Sequence, residues 1–205
     1  MNILIIAATE MEIKPLMSAD FEADYLITGV GSPATVYHLL KKIASKKYDV
    51  VLQVGVAGSF DESLKLGEVV LVNEDCFADL GAIENKQFLS LFDLKLNKEN
   101  DFPLENGWLL NQHQFNTDLK FVKGISVNCL TDEVEKITLF KEKYQAEIET
   151  MEGAALHFVC LQEEIPFLQI RGVSNFVGER DKSKWELKSA IENSNNAALQ
   201  ILKSM

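Results

Sequence analysis

Val50-Val51-Leu52-Gln53-Val54-Gly55-Val56-Ala57-Gly58 is the stretch that decides the fold. From Val50 to Val56 only Gln53 is polar, so the run does not alternate between an apolar and a wet face. Continuous apolar runs of this length read as strands buried on both sides, the habit of parallel or mixed sheets with helices on each face. Gly55-Val56-Ala57-Gly58 reads as the turn that ends it. Working outward, Ile3–Ala8 and Tyr25-Leu26-Ile27-Thr28 are strands before it. Glu68–Val72, with Asp75–Ala78 as a further candidate, Phe121–Val127, Ala146–Glu149 and Ile165–Val173 are strands after it. Pro33–Ser45 carries Val36, Leu39, Leu40 and Ile43 on one helical face, and Trp185–Leu202 carries Leu187, Ile191, Ala198 and Leu202 on one stripe. Strands alternating with helices predict an α/β fold with a central mixed, mainly parallel sheet covered by helices on both faces. No internal repeat is visible, and the polar stretch Lys95–Asn106 reads as a surface excursion, so residues 1–205 are expected to form a single domain.

Composition narrows the partners. The chain has 205 residues, with 31 Asp and Glu against 20 Lys and Arg, a formal net charge of −11. That balance argues against nucleic acid or an anionic membrane as the main partner. No apolar run approaches the roughly 18–20 residues of a membrane span. The opening Asn2–Ala8 has no preceding basic residue and is followed at once by Glu10 and Glu12, so it reads as a buried strand and not as a signal peptide. Cys76, Cys129 and Cys160 are an odd number without ligand spacing, which points to reduced thiols and a cytoplasmic location. His38, His113 and His157 pair neither with one another nor with cysteine, so no metal and no cofactor is expected. Among the basic residues only Arg171 and Arg180 are arginines.

The unusual residues gather just after the strand-like runs: Thr9–Glu12, Gly29–Gly31, Gly55–Ser59, Asn128-Cys129-Leu130 and Ser174-Asn175. In open α/β sheets ligands bind at the carboxyl ends of the strands, so these segments mark a candidate site. Singly they are ambiguous. Gly29-Val30-Gly31 lacks the third glycine and the later acidic residue of a dinucleotide fingerprint; a tight turn and a close approach to a small ligand both fit it. Glu12, in a first helical turn, and Glu152, where a strand meets a helix of small residues, each suit the positive end of a helix as well as a site.

Taken in order, Glu12, Gly29-Val30-Gly31, Gly55-Val56-Ala57-Gly58, Met151-Glu152-Gly153 and Arg171-Gly172-Val173-Ser174-Asn175 resemble the purine nucleoside phosphorylase and nucleosidase superfamily over nearly the whole chain. The resemblance implies that family's three-layer nucleoside-phosphorylase-like fold. Glu12 and Met151-Glu152 match its hydrolytic branch, which includes methylthioadenosine/S-adenosylhomocysteine nucleosidase, but that nucleosidase has Asp where this chain has Asn175. Ala78-Asp79-Leu80-Gly81-Ala82 and Val173–Asp181, with Trp185 shortly after, look instead like the futalosine hydrolase family. That family removes hypoxanthine from futalosine in an alternative route to menaquinone.

The resemblance implies that Glu12 activates a water, that Glu152 accepts from the ribose hydroxyls, and that Met151 packs on the sugar. Arg171 would orient Glu12 or the water, Gly58 and Ser174 would line the substrate, and Leu130 would pack on the purine. Asn175 would bind the leaving base. Its amide can donate to one purine atom and accept from another, and it does not repel a 6-carbonyl as a carboxylate would. A repelled buried polar group costs roughly 1–3 kcal/mol, so Asn175 favours a 6-oxopurine over adenine. Arg180 would meet the 5′ benzoate of futalosine, with an ion pair to Glu179 or Asp181 as the alternative. The related phosphorylases hold phosphate largely with arginines from the first half of the chain, and here no Arg precedes position 171, so water is the expected nucleophile. The family habit also implies a homodimer or higher homo-oligomer. Another purine nucleoside hydrolase or phosphorylase, or a binding protein that kept the pocket, remains open at this point.

Overall fold

The computed structural model describes residues 1–19, 21–85, 87–113 and 115–205. The strands are β1 (Ile3–Ala7), β2 (Asp24–Ile27), β3 (Val50–Ser59), β4 (Val69–Asp75), β5 (Gly81–Glu84), β6 (Gln87–Ser90), β7 (Leu109–Leu110), β8 (Lys120–Ser126), β9 (Ile148–Thr150) and β10 (Phe167–Phe176). The helices are α1 (Glu10–Met17), α2 (Ser32–Ile43), α3 (Val134–Tyr144), α4 (Gly153–Gln162) and α5 (Leu187–Ser204).

The main sheet is mixed and mainly parallel, as the apolar runs predict. β3 pairs in parallel with β1 and β10, β1 with β2, β8 with β4 and β9; β10 to β4 and β3 to β9 are antiparallel. Because β3 meets β10 on one side and β9 on the other, β3, β10, β4, β8 and β9 close into a ring, with β1 and β2 extending it as a wing. β1 shows why its run has to be apolar throughout. Ile3, Ile5 and Ala7 pack with Ile13, Leu16, Ala198, Ile201 and Leu202 under α1 and α5. Leu4 and Ile6 pack with Leu39, Leu156, Val159 and Cys160 under α2 and α4. Successive side chains of a strand point to opposite faces, so helices on both sides demand a hydrophobe at every position.

The strands β3 and β10 outrun their expected ends. Gly55–Ser59 continues β3, because β10 pairs with it through Phe176 and β9 covers Gly58 and Ser59. Ser174 and Asn175 therefore stand on a strand, where the register shifts between Val173 and Asn175. Such an irregularity re-aims side chains beside a site. β4 runs on to Asp75, and from the stretch beyond it only Phe77 bridges to Ser126. The hairpin of β5 and β6 and the helix α3 were not legible in the sequence. Phe140 is the one fully buried residue of α3, so its apolar stripe is too thin to read. No helix of the described residues is long and apolar enough to cross a membrane.

Candidate active site

The five sequence segments converge on one cavity of about 460 Å³, within the usual range for a small-molecule site. Its wall includes Glu12, Gly58, Leu130, Met151, Glu152, Ser174, Asn175 and Arg180. Of the expected site residues only Arg171 is absent from it.

Glu12 is held by its own helix start and by β3. Thr9 caps α1, and the Glu12 carboxylate closes the capping box: Oε2 accepts from the Thr9 N–H at 3.0 Å and from its hydroxyl at 2.8 Å. Oε1 accepts from the Val56 N–H at 3.3 Å. The helix-end reading of Glu12 thus describes one oxygen; the other reaches across to β3 at the cavity wall.

Glu152 precedes α4, and its Oε1 accepts from the Gly31 N–H at 2.9 Å. Gly31 has φ +90°, a backbone that glycine adopts without strain, and this turn aims the N–H at Glu152. Burial pushes the Glu152 carboxyl above the usual carboxylate range, and the Glu12 charge adds to that; Arg171 and the Gly31 N–H pull it back. The Asn128–Leu130 segment is fixed beside this turn. The Asn128 side-chain oxygen accepts from the Ser32 N–H at 3.0 Å, and Asp79 accepts from the Asn128 N–H at 2.6 Å. Asp79 therefore anchors that loop.

Arg171 is the expected site residue that lies outside this wall. It is 1% exposed and stands behind the wall, donating to Gln53 Oε1. A Cβ on Gly55 would come within 2.3 Å of Arg171 Nη1 and 2.9 Å of Glu12 Oε1. Gly55 is thus the gap through which guanidinium and carboxylate approach β3 from the same side. Behind it lie Gln169, His157 and Asp75, all buried, with Gln169 beside both the Asp75 carboxyl and the His157 ring. Burial lifts the Asp75 carboxyl to about 7 and lowers the His157 imidazole to about 4.

At the other end, the Ser174 hydroxyl lies 2.8 Å from Asn175 Oδ1 and 3.2 Å from the Ala57 carbonyl, and Asn175 Nδ2 donates to the Phe176 carbonyl at 2.9 Å. Arg180 makes no ion pair with a described residue: Glu179 pairs with Lys184, and Asp181 caps the following turn. Arg180 stands within electrostatic reach of Glu149 and lines the same cavity.

Glu149 is the wall residue that the sequence reading passed over, taking it as the last residue of a short strand. It is buried on β9, and burial lifts its carboxyl to about 7. The available signal was a charge inside Ile148-Glu149-Thr150, a run otherwise fit for a core, two residues before Met151. Among the described residues no group of three His, Cys, Asp or Glu is arranged to hold a metal ion.

Residues 25–205 match the family model described as the phosphorylase superfamily. A futalosine hydrolase of Thermus thermophilus is 32% identical over 170 residues, 82% of this chain and 75% of the relative. A 5′-methylthioadenosine/S-adenosylhomocysteine nucleosidase of Buchnera aphidicola is 28% identical over 192 residues, 87% of this chain and 72% of the relative. The native structure of futalosine hydrolase from Helicobacter pylori superposes with a TM-score of 0.83 at 19% identity, covering 100% of this chain and 98% of that one, a likeness of fold.

Proposed function

The chain belongs to the phosphorylase superfamily, as one of its hydrolases of N-glycosyl bonds, and from that premise we propose that it hydrolyses the N-ribosidic bond of futalosine. The products are hypoxanthine and dehypoxanthine futalosine, in a route to menaquinone. The observation that carries the reading is the pairing, in one cavity, of the anchored carboxylates Glu12 and Glu152 with an amide, Asn175, in the wall.

Cleavage builds positive charge on the ribose. Glu12 holds a water on the face of the sugar away from the base, takes its proton, and stabilises the charge by proximity. Its three hydrogen bonds fix the carboxylate before substrate arrives. Glu152 accepts from the ribose hydroxyls, and Met151 and Leu130 pack on sugar and base. Arg171 is a positioning residue, acting on Glu12 and Glu152 through the Gly55 gap. Asn175, paired to Ser174, meets the purine edge and prefers a 6-oxopurine. We also propose a homodimer or higher homo-oligomer in the cytoplasm: Met11 and Val30 line the cavity yet are 55% and 56% exposed, as a mouth covered by a second subunit would be.

The test is to incubate the pure protein with futalosine, inosine and methylthioadenosine, with and without phosphate, and to identify the free base. Hypoxanthine from futalosine without phosphate is the expected result. Adenine from methylthioadenosine with futalosine untouched would overturn the substrate, and a strict need for phosphate would overturn the nucleophile.

A further inference from the structure

Asn175 creates a chemical gap in the reaction. A purine leaves an N-ribosidic bond far more readily when a ring nitrogen is protonated, and an amide has no proton of useful acidity to give. The site must find that proton elsewhere.

The sheet register shows where. Asn175 on β10 is the parallel partner of Gly58 on β3, and Glu149 on β9 is the antiparallel partner of the same Gly58. The three residues form one row across three strands. Residues opposed in a ladder project to the same face, and strands two apart are separated by roughly 10 Å. The middle position has no side chain. A Cβ there would meet Asn175 Nδ2 at 3.4 Å and Val177 Cγ2 at 3.1 Å, so glycine keeps the floor of the slot open. Glu149 and Asn175 both line the cavity, on the two sides of that floor. None of the described residues hydrogen-bonds the Glu149 carboxyl, whereas Glu12 and Glu152 are both tied to backbone N–H groups.

We propose that Glu149 is the catalytic acid, donating its proton to N7 of the departing purine across the Gly58 floor from Asn175. This rests on the hydrolytic reading of the site above. The step balances. The C1′–N9 electron pair goes to the purine as the Glu149 O–H proton goes to N7; the water oxygen bonds to C1′ as its proton goes to Glu12. Glu149 is left as carboxylate and Glu12 as acid, and exchange with solvent resets both. The surroundings suit a proton held near neutrality. Burial is the dominant influence and raises the Glu149 carboxyl to about 7, Asp79 adds to it, and Lys136 of α3 and Arg180 oppose it. Lys182, Glu12 and Glu152 are the other charged groups of the wall. The division of labour is thus set by environment, with one carboxylate pinned by N–H donors as base and another left buried and unbonded as acid.

The experiment compares wild type, Glu149→Gln and Glu149→Asp on futalosine from pH 5.5 to 8.5, with melting temperatures to establish folding. General acid catalysis is worth about 10²–10⁴-fold, so the Gln variant is expected to lose kcat by that factor with KM changed less than about threefold. The Asp variant is expected to recover at least a tenth of the wild-type rate. Wild-type kcat should fall with rising pH through about 7, and the Gln variant should lack that limb. A Gln variant within threefold of wild type, or one that keeps the limb, overturns the proposal. If wild type leaves futalosine intact, the substrate reading fails separately, and the three proteins are then compared on inosine or methylthioadenosine, whichever wild type cleaves. A Gln variant within threefold of wild type, or one that keeps the limb, overturns the role there, and cleavage of none of the three substrates removes the hydrolytic reading and the acid with it.

Discussion

Replacing Glu12 by Gln separates a catalytic carboxylate from a helix cap, because the side chain is placed to be both. Three donors point at its two oxygens: the Thr9 N–H and hydroxyl at Oε2, and the Val56 N–H at Oε1. A Gln amide has one oxygen. Turned to Thr9 it keeps two bonds and faces its NH2 against the Val56 N–H, which loses an acceptor at a cost of about 1–3 kcal/mol. Removing a buried charge offsets part of that cost. At about 2–4 °C per kcal/mol for a chain of this size, the melting temperature should stay within about 6 °C of wild type. The rate should not. Loss of the base predicts a kcat lower by about 10²–10⁴, equivalent to about 3–5.5 kcal/mol in the barrier. The companion variant Thr9→Val keeps the carboxylate but removes the cap hydroxyl and one donor, costing about 0.5–2 kcal/mol of stability and less than tenfold in rate. Hypoxanthine release followed by chromatography, alongside thermal melts, measures both. Equal rate losses in the two variants would mean that Glu12 serves only to start α1, and the water-activating role would be wrong.

Asn175→Asp should cut futalosine turnover about 10–100-fold and raise adenine release from methylthioadenosine, since a carboxylate repels a 6-carbonyl at roughly 1–3 kcal/mol; unchanged selectivity would remove Asn175 from base recognition. Arg180→Ala should raise KM for futalosine and inosine by similar factors, because its charge acts on Glu149 in the shared cavity wall. A loss confined to futalosine would return it to the 5′ benzoate. Asp75→Asn should stabilise the protein more at pH 8 than at pH 5. The folded carboxyl is raised from 3.8 to about 7, so it holds a proton that the unfolded chain has released. Stability from this group therefore falls as pH rises between those values, and the variant is exempt. Melting temperatures across that range check it, and a pH-independent difference would count against the buried proton.

How much was legible follows from what each signal depends on. β1, β3 and β10 were readable because burial on both faces leaves an apolar run that no surface element shares. Glu12 and Glu152 could be singled out only in company, since each also fits the start of a helix, and the second oxygen of Glu12 leaves the cap to reach β3. The ends of β3 and β10 were misread because Gly55, Gly58 and Ser174 look like turn residues. Their smallness serves another purpose: Gly55 admits Arg171 and Glu12, and Gly58 keeps a slot open between β10 and β9. Glu149 could not be weighed from its own strand, because its significance lies in the register that sets it opposite Gly58.

The scarcity of arginine also takes on a structural meaning. The cations in the cavity wall, Arg180 and Lys182, both come from the segment after β10. Arg171 is the cation behind Glu12 and Glu152, and it is enclosed, donating to Gln53 and drawing on Glu152 and Asp75 at a distance. A phosphate dianion seated by Glu12 would meet two carboxylates, and the cation behind them, Arg171, is enclosed. A neutral water meets no such penalty, and it needs the anchored acceptor that Glu12 provides. The same shortage of positive charge lets burial keep Glu149 and Glu152 above the usual carboxylate range. A site that is poor in cations thus disfavours phosphate as nucleophile and, for the same electrostatic reason, can hold a proton near neutral pH for the leaving base.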